Sequence, residues 1–411
     1  MAGNKSRIAI IATLDTKGEE ALYLKESVER KGFTSLVIDT GILGEPLFCP
    51  QISREDVAIR GGMKLTELIS LKDKGFAIAV MARGARKLLA ELYQESILGG
   101  VIAMGGGQGT FIGTFAMRGL PLGFPKIMVS TIVSGNMRPF VGTEDIILFN
   151  SVVDLMGLNS ISKAILDNAI NALIGMVRKP AKIVRDSSFK VGVTTLGTTT
   201  PGLIKAKKIL LSKGYEFIPF HANGSGGKAM ENLLKIGFLD GVIDWSIHEV
   251  VDEVCVGIFA GDNRLGVLEK VAVPYLLVPG GIDYIVMGSL GSLREEQKRR
   301  SYIVHNENIT LVRTTNHEME KVALFLVEKI NKAKGNLALV IPLRGFSAHD
   351  APGEVFYQPE VDKVFVEVLK ENINPDVPII EIDANINDLH FVQETIKIFE
   401  GLLTESKKER N

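Results

Sequence analysis

A run of glycines after an apolar segment is the strongest chemical signal in the sequence. An apolar segment at 100–104 precedes a helical pattern at 108–118, and between them the chain reads Gly105, Gly106, Gly107, Gln108, Gly109 and Thr110. Without Cβ atoms, consecutive glycines let backbone N–H groups point into one concavity, and a following helix adds the positive end of its dipole. No Gly-Lys-Ser/Thr follows, and the spacing is not GxGxxG. We predict a phosphate-binding loop; the alternative is a tight turn without a ligand.

Polar residues follow two other apolar segments that we expect beside this loop. They are Thr13, Asp15 and Lys17 after the first segment, and Ser130, Thr131, Ser134, Gly135 and Asn136 after the fourth. Ligands of open parallel sheets bind beyond the carboxyl ends of the strands, so these residues are predicted to contact the same ligand. Lys17 is expected to neutralise phosphate, and Asp15 or Glu144 to hold Mg²⁺ directly or through water. For Asp15, a helix N-cap remains the alternative.

Histidines cluster by position in the second half of the chain. Four of the six follow predicted strands, and we predict that one polar pocket is lined by His221, His248, Arg344, His349 and Asp383. Imidazoles would move protons near neutral pH, and the guanidinium would clamp a carboxylate or phosphate of a small polar metabolite. A structural hydrogen-bond network and a zinc site at His221, His248 and Asp383 remain alternatives. A triad of Ser347, His349 and Asp350 is disfavoured by its short spacing and by the lack of a GxSxG motif.

The elements that position these residues follow an alternating pattern. Strands are predicted at 7–12, 35–39, 100–104, 126–131, 145–150, 190–195, 216–220, 241–244, 274–278, 336–342 and 378–383. Helices are predicted at 18–31, 64–74, 84–96, 108–118, 159–178, 202–213, 227–236, 317–334, 358–372 and 388–403. This alternation is typical of parallel sheets with helices on both faces.

A polar, proline-containing segment at 179–190 predicts a domain boundary. We therefore expect two α/β domains, at 1–180 and 187–405, each a Rossmann-like open, mostly parallel sheet. Residues 8–33 and 191–215 share one layout of strand, Thr-Leu turn, amphipathic helix and Lys-Gly stop. This layout indicates an internal duplication or a chance likeness between two generic α/β openings.

Composition excludes several classes of protein. Among 411 residues, Lys and Arg total 47 and Asp and Glu total 48, so no charge excess indicates nucleic acid or an anionic membrane as partner. Only two cysteines occur, which excludes a disulfide framework and Cys-rich zinc patterns. The apolar run near the N-terminus is shorter than a signal peptide core, and no apolar segment reaches the length of a membrane span. We expect a cytoplasmic protein.

Several longer motifs resemble one family. They are ATLDTKGEE, GGGQGT, the STxxSGN run at 130–136, HANGSGGKAME and RGFSAHDAPGEVFYQPEVDKVF. They are similar to a bacterial and plant family that includes the N-terminal ATP-binding domain of the tomato mosaic virus resistance protein. The resemblance covers nearly the whole chain. It implies Mg²⁺-ATP binding, two Rossmann-like subdomains and a homodimer, but no established reaction.

Together these patterns favour an ATP-binding enzyme that acts on a small polar metabolite. Two alternatives remain: a regulatory protein gated by ATP without turnover, and an ATP-independent lyase or hydrolase in the second domain. The segment Arg54–Gln94 is long and apolar for one crossover between strands. A second copy of the chain is predicted to cover its surplus apolar face.

Overall fold

The computed structural model describes residues 7–181, 183 and 185–409, and the chain forms two compact units, Met1–Val184 and Arg185–Asn411. The first predicted domain begins at residues 1–6, which lie outside the described residues. Each unit holds a parallel sheet between helices, which confirms the predicted fold class. In the described residues, no helix combines the length and the apolar composition that a membrane crossing requires.

The first unit alternates strands and helices. Its strands are β1 (Arg7–Ala12), β2 (Thr34–Asp39), β3 (Leu98–Gly105), β4 (Lys126–Ser130) and β5 (Ile147–Asn150). Its helices are α1 (Gly18–Arg30), α2 (Arg54–Gly61), α3 (Leu65–Ser70), α4 (Lys74–Gln94), α5 (Gly107–Met117), α6 (Arg138–Val141) and α7 (Ser160–Arg178).

The sheet of the first unit is parallel throughout, with strand order β2-β1-β3-β4-β5. Alternate residues of β1 face opposite layers because side chains alternate along a strand. Ile8 and Ile10 pack with α1 and α7, whereas Ala9 and Ile11 pack with α2, α4 and α5. Both faces of the sheet are therefore buried, which explains why its strands read as continuous apolar runs.

The second unit is larger. Its strands are β6 (Lys190–Thr195), β7 (Glu216–His221), β8 (Gly241–Ser246), β9 (Tyr275–Gly280), β10 (Tyr284–Met287), β11 (Tyr302–Asn306), β12 (Ile309–Arg313), β13 (Leu337–Pro342) and β14 (Ile379–Ile382). Its α-helices are α8 (Thr200–Ser212), α9 (Gly226–Lys235), α10 (His248–Cys255), α11 (Glu295–Lys298), α12 (Asn316–Ile330), α13 (Pro359–Asn372) and α14 (Leu389–Glu409).

Six of these strands form a parallel sheet in the order β14-β13-β9-β8-β6-β7. Helices α8 and α14 pack on one face, and α9, α10, α12 and α13 pack on the other. If the six strands of this sheet are numbered 1 to 6 along the chain, strands 1 to 5 lie side by side in the order 2-1-3-4-5. The five strands of the first unit lie in the same order. In both units the strand order therefore reverses between the first and third strands. Doubly wound proteins bind ligands at this topological switch point.

The sequence analysis missed a small antiparallel sheet in the second unit. Strands β10, β12 and β11 form it in that order. Strand β11 carries mostly exposed residues, and an edge strand without a buried face gives little hydrophobic signal. Helices α2 and α10 were missed for a related reason, since each has only eight residues.

Candidate nucleotide site

A cavity of about 680 Å³ opens at the topological switch point of the first unit, where the strand order reverses. It lies beyond the carboxyl ends of β1, β2 and β3. Its volume lies in the range of ordinary ligand pockets, roughly 300 to 1,000 Å³. Its walls are formed by Thr13, Asp15, Thr16, Lys17, Ile42, Leu43, Gly44, Leu68, Ile69, Lys72, Asp73, Lys74, Ala77, Gly105, Gly106, Gly107, Gln108 and Gly109. Eight of the predicted site residues therefore meet in one place: Thr13, Asp15, Lys17, Gly105, Gly106, Gly107, Gln108 and Gly109.

The glycines of the loop have two different roles. Gly105 has φ of 153°, and a Cβ there would lie 2.9 Å from the Cα of Gly109. A Cβ on Gly109 would lie 2.8 Å from the carbonyl oxygen of Met104. These two glycines are needed for the turn itself. In contrast, a Cβ on Gly107 meets nothing within 4 Å, so this backbone faces open space at the start of α5.

Thr110 and Ser130 support the loop from behind. Their hydroxyl oxygens are 2.7 Å apart, and both side chains are fully buried. The N–H of Thr131 donates to the carbonyl of Gly105 at 3.2 Å. These predicted ligand contacts instead connect the end of β4 to the glycine loop. Ser134, Gly135 and Asn136 are exposed, and the side chain of Asn136 accepts from the N–H of Arg138. None of these six residues is among those that line the cavity.

A buried ion pair positions the other two loops. Asp39, the last residue of β2, accepts hydrogen bonds from the N–H groups of Leu14 at 3.0 Å and Gly41 at 2.8 Å. The Nε of Arg54 donates to the second carboxylate oxygen of Asp39 at 2.8 Å, and both side chains are almost fully buried. The loops after β1 and β2 are thereby held together at the mouth of the sheet.

Lys17 is less free than the sequence indicated. Its ammonium group donates to the carbonyl of Leu155, in the loop after β5. Two further lysines, Lys72 and Lys74, line the cavity from the turn between α3 and α4. Lys72 adopts a left-handed backbone with φ of 51°, a conformation that non-glycine residues rarely hold. The positive charge around the cavity thus comes from three lysines on two loops.

Sequence reasoning missed the wall that the segment 42–77 contributes. Its residues are Ile42, Leu43, Gly44, Leu68, Ile69, Lys72, Asp73, Lys74 and Ala77. The signal that could have located it is Lys72-Asp73-Lys74, a charged turn at the end of an apolar helical pattern. Asp73 caps α4 by accepting from the N–H of Phe76 at 2.9 Å.

Glu144, predicted as the alternative to Asp15 as a ligand of Mg²⁺, is not among the residues that line this cavity. Glu144 lies near Lys126, the first residue of β4, whereas Ser130 at the other end of β4 pairs with Gly105. Five strand residues separate the two ends by about 13 Å. Burial raises the pKa of the Glu144 carboxyl. Asp15 does line the cavity, and its carboxylate accepts from the N–H of Gly44 at 3.3 Å.

The five residues predicted to share a pocket in the second unit do not converge. His221 ends β7, and Asp383 follows β14, at opposite edges of the six-stranded sheet. Five strand spacings separate these edges, about 24 Å. Arg344 lies beside Asp383 and binds its carboxylate through two hydrogen bonds of 2.7 and 2.8 Å, with both side chains exposed. Sharing one sheet edge is therefore not enough to share one pocket.

His248 and His349 lie nearer the centre of the same edge. His248 is fully buried; its Nδ1 is 2.7 Å from the carbonyl oxygen of Gly281, and its Nε2 is 3.4 Å from a carboxylate oxygen of Asp252. His349 is half-buried, and its ring meets that of Phe356 edge-on. His248 thus connects the start of α10 to the loop after β9, and its side chain is closed off from solvent.

The contacts of Ser347 bear on the triad that the sequence disfavoured. The hydroxyl of Ser347 donates to Asp283 at 2.7 Å, and the N–H of His349 donates to the Ser347 hydroxyl. Ser347 therefore takes no part in a triad with His349. Among the described residues, no group of three or more His, Cys, Asp or Glu side chains is arranged to hold a metal ion.

Two family profiles match consecutive parts of the chain. The "Uncharacterised protein family (UPF0261) N-terminal domain" matches residues 6–182, and the corresponding C-terminal domain matches residues 188–403. The chain belongs to the UPF0261 family. Both units described above are therefore covered by family domains, and the resemblance found in the motifs is confirmed.

Relatives in this family include bacterial and plant proteins. A "UPF0261 protein" of Clostridium tetani is 44 % identical, with 94 % of this chain and 96 % of that protein covered. The "ToMV resistance protein Tm-1(GCR237)" of Solanum lycopersicum is 35 % identical over 96 % of this chain. The chain spans only 56 % of the length of the tomato protein.

Two of the solved structures that this chain matches are described as UDP-N-acetylglucosamine 2-epimerases. A putative UDP-N-acetylglucosamine 2-epimerase from Listeria monocytogenes has 15 % identity and a TM-score of 0.24, with 66 % of this chain and 79 % of that chain covered. UDP-GlcNAc 2-epimerase from Methanocaldococcus jannaschii has 8 % identity and a TM-score of 0.22, with 96 % and 92 % covered. At these scores the likeness supports no inference about this member of UPF0261.

Proposed function

We propose that the first unit binds ATP together with Mg²⁺ in the cavity beside the glycine loop. The observation that carries this proposal is the open backbone of Gly107 at the start of α5, which has 11 residues. Amide groups in the first turn of a helix have no partner within that helix. They bind phosphate oxygens well, because the helix dipole adds to the hydrogen bonds.

The remaining walls fit the other parts of the nucleotide. Lys72 and Lys74 supply positive charge for the outer phosphates from the opposite side of the loop. Aliphatic side chains suit the faces of a purine base, and the cavity offers Ile42, Leu43, Leu68, Ile69 and Ala77. This division into a charged end and an apolar end is typical of nucleotide pockets.

Asp15 is the residue that would hold Mg²⁺. Asp73, the other acidic residue of the cavity, already caps α4. One carboxylate suffices when phosphate oxygens and water provide the remaining ligands of the metal. Bound Mg²⁺ would supply charge neutralisation to the phosphates. Among the described residues that line the cavity, none is an arginine, the usual partner of a transferring phosphoryl group. We therefore favour ATP as a bound ligand that stabilises one conformation, without turnover.

Titration calorimetry with Mg²⁺-ATP tests this proposal. We expect saturable binding to the wild-type chain and a rise in melting temperature, because a ligand that binds only the native state stabilises it. Gly107→Val places a side chain in the cavity and is expected to abolish both effects. Gly175→Val is the matched control, because a Cβ at Gly175 also meets nothing within 4 Å and this residue lies on α7.

Two results would change the proposal. Equal binding by wild type and Gly107→Val would move the nucleotide away from the loop. Stoichiometric ADP or AMP formation after incubation with ATP would make the protein an ATP-consuming enzyme instead.

A further inference from the structure

The second unit has a cavity of about 560 Å³ whose lining is rich in cationic side chains. It lies where two turns meet the start of α13. These turns connect α11 to β11 and β12 to α12. Three arginines, one histidine and no carboxylate are among its lining residues, which are Arg299, Arg300, Ser301, Arg313, Thr314, Thr315, Asn316, His317, Gln358 and Val361. One water needs about 30 Å³, so the cavity has room for a larger guest.

Arg313 forms the buried floor of this cavity. Its Nη2 donates to Asp362 at 2.5 Å, its Nε to the carbonyl of Phe356 at 2.7 Å, and its Nη1 to the carbonyl of Asp283 at 2.9 Å. The guanidinium is thus fixed by buried partners, and the carboxylate of Asp362 balances its charge. Its donors are already occupied, so a ligand must be bound by other groups.

Arg300 is held in place by one edge only. Its Nη1 donates to both carboxylate oxygens of Glu318, at 2.7 and 3.0 Å. Glu318 is itself fixed, since it forms a capping box with Thr315 at the start of α12. Within the described part of the chain, the Nε and Nη2 of Arg300 have no hydrogen-bond acceptor. These donors remain for a guest in the cavity.

Arg299 borders the same cavity and is the cation with most freedom. Its side chain is exposed and forms no ion pair or hydrogen bond with any residue that the structure describes. Two consecutive arginines therefore offer planar sets of N–H donors at one opening. Such donors match the oxygens of a phosphate group better than a lysine would.

Two helices begin at this cavity. Helix α12 has 15 residues and starts at Asn316, and helix α13 has 14 residues and starts at Pro359. The positive ends of both helix dipoles lie at the cavity, and the first N–H groups of α12, at Asn316 and His317, have no partner within the helix. The arginines and the dipoles thus act in the same direction.

We propose that this cavity binds the phosphate group of a small phosphorylated molecule. The donors of Arg299, Arg300 and the first turn of α12 contact the phosphate oxygens, and the remaining volume holds the organic part. The site belongs to the second unit alone and does not depend on the proposed nucleotide site.

Inorganic phosphate, titrated calorimetrically at constant ionic strength, is the probe. The titration uses the full chain carrying Gly107→Val, so that the glycine loop cannot contribute. We expect one saturable site per chain, and Arg299→Ala should weaken phosphate binding by about tenfold, the usual cost of losing a charge-assisted hydrogen bond. Arg294→Ala is the matched control, because Arg294 is an exposed arginine of the same unit that pairs with Glu296 at 3.0 Å and lies outside the cavity.

The proposal fails if the chain with Gly107→Val shows no saturable phosphate binding. It also fails if Arg294→Ala weakens binding as much as Arg299→Ala, since that would indicate a diffuse charge effect. Tighter binding of glycerol 3-phosphate than of inorganic phosphate would support an organic ligand. Binding of citrate without binding of phosphate would contradict the phosphate assignment.

Discussion

At the scale of single residues, the most unusual feature is a group of buried acids in the second unit. Asp283, Asp350 and Asp362 surround Arg313, so carboxyl groups outnumber the adjacent guanidinium. Burial, with the neighbouring charges of Asp283 and Asp362, raises the pKa of Asp350 to about 9, and burial raises the pKa of Asp362 to about 6. Near neutral pH the folded chain therefore binds more protons at this group of acids than the unfolded chain does.

This difference predicts a pH-dependent stability. Between about pH 4 and pH 9 the native state binds more protons at Asp350 than the unfolded state, so this group makes the free energy of unfolding fall as pH rises. Asp350→Asn replaces the acid by a neutral amide that resembles its protonated form. In the wild type, ionisation of Asp350 should lower the free energy of unfolding by about 2 kcal/mol between pH 7 and pH 9, at 1.36 kcal/mol per unit, and the variant should lack this decrease. Fluorescence of Trp245 reports unfolding of this unit, because Trp245 is the only tryptophan of the chain and is fully buried.

Asp376→Asn is the control for this measurement. Asp376 is exposed in the same unit, and its replacement should leave the pH profile as in the wild type. Identical pH profiles for the wild type and Asp350→Asn would show that Asp350 is ionised in the folded protein.

At the scale of elements, two turns of similar glycine-rich sequence differ in what lies against their backbone. The loop at Gly105–Gly109 faces a cavity, whereas the loop at Ala222–Gly227 is filled by the carboxylate of Glu249. Glu249 accepts from the N–H groups of Gly224 at 2.7 Å and Gly227 at 3.1 Å, and it pairs with buried Arg264 at 2.8 Å. An internal carboxylate occupies the place that an external anion would take.

Gly227→Ala tests this difference. A Cβ on Gly227 would lie 2.1 Å from a carboxylate oxygen of Glu249 and 2.3 Å from the Nε of Arg264, both in a fixed buried pair. We expect a loss of about 2 kcal/mol of stability, the usual cost of overpacking a core. Gly197→Ala, where a Cβ meets nothing within 4 Å, should change stability by less than about 0.5 kcal/mol. Denaturant unfolding followed by Trp245 fluorescence measures both variants. Equal stabilities of Gly227→Ala and Gly197→Ala would show that the loop around Glu249 can move to accept a Cβ at little cost.

At the scale of the whole molecule, the segment Arg54–Gln94 presents an apolar surface. Helices α2 and α4 pack on the sheet, yet Ile59, Leu71 and Phe76 remain exposed. This surface and the family resemblance lead us to propose a homodimer. Its two copies would bury the same patch on each subunit.

Light scattering measures the assembly directly. We expect a mass near twice the 44.7 kDa of one chain at micromolar concentration. Ile59→Asp should shift the mass toward one chain, because a desolvated carboxylate opposes association. Leu211→Asp, at an exposed leucine of the second unit, should leave the dimer intact. A wild-type mass near 44.7 kDa would rule out this assembly.

The fold class and the position of the glycine loop could both be predicted from the amino-acid sequence. Strands buried on both faces read as continuous apolar runs, and glycines that must accept unusual backbone geometry, such as Gly105, are visible as residue types. Thr13, Asp15 and Lys17 were placed beside the loop by a rule of topology alone, because the carboxyl ends of adjacent parallel strands meet at one edge.

Which residues share a cavity could not be predicted from the sequence, because it depends on strand order and strand direction. Strand order separates His221 from Asp383 by the width of a sheet, and strand direction puts Glu144 at the opposite end from Gly105. Tertiary contacts also determine that Glu249 fills one glycine loop while Gly107 stays open, and that Arg299 and Arg300 meet the start of α12. These contacts join residues far apart in the chain, and local sequence patterns report only the environment of neighbouring residues.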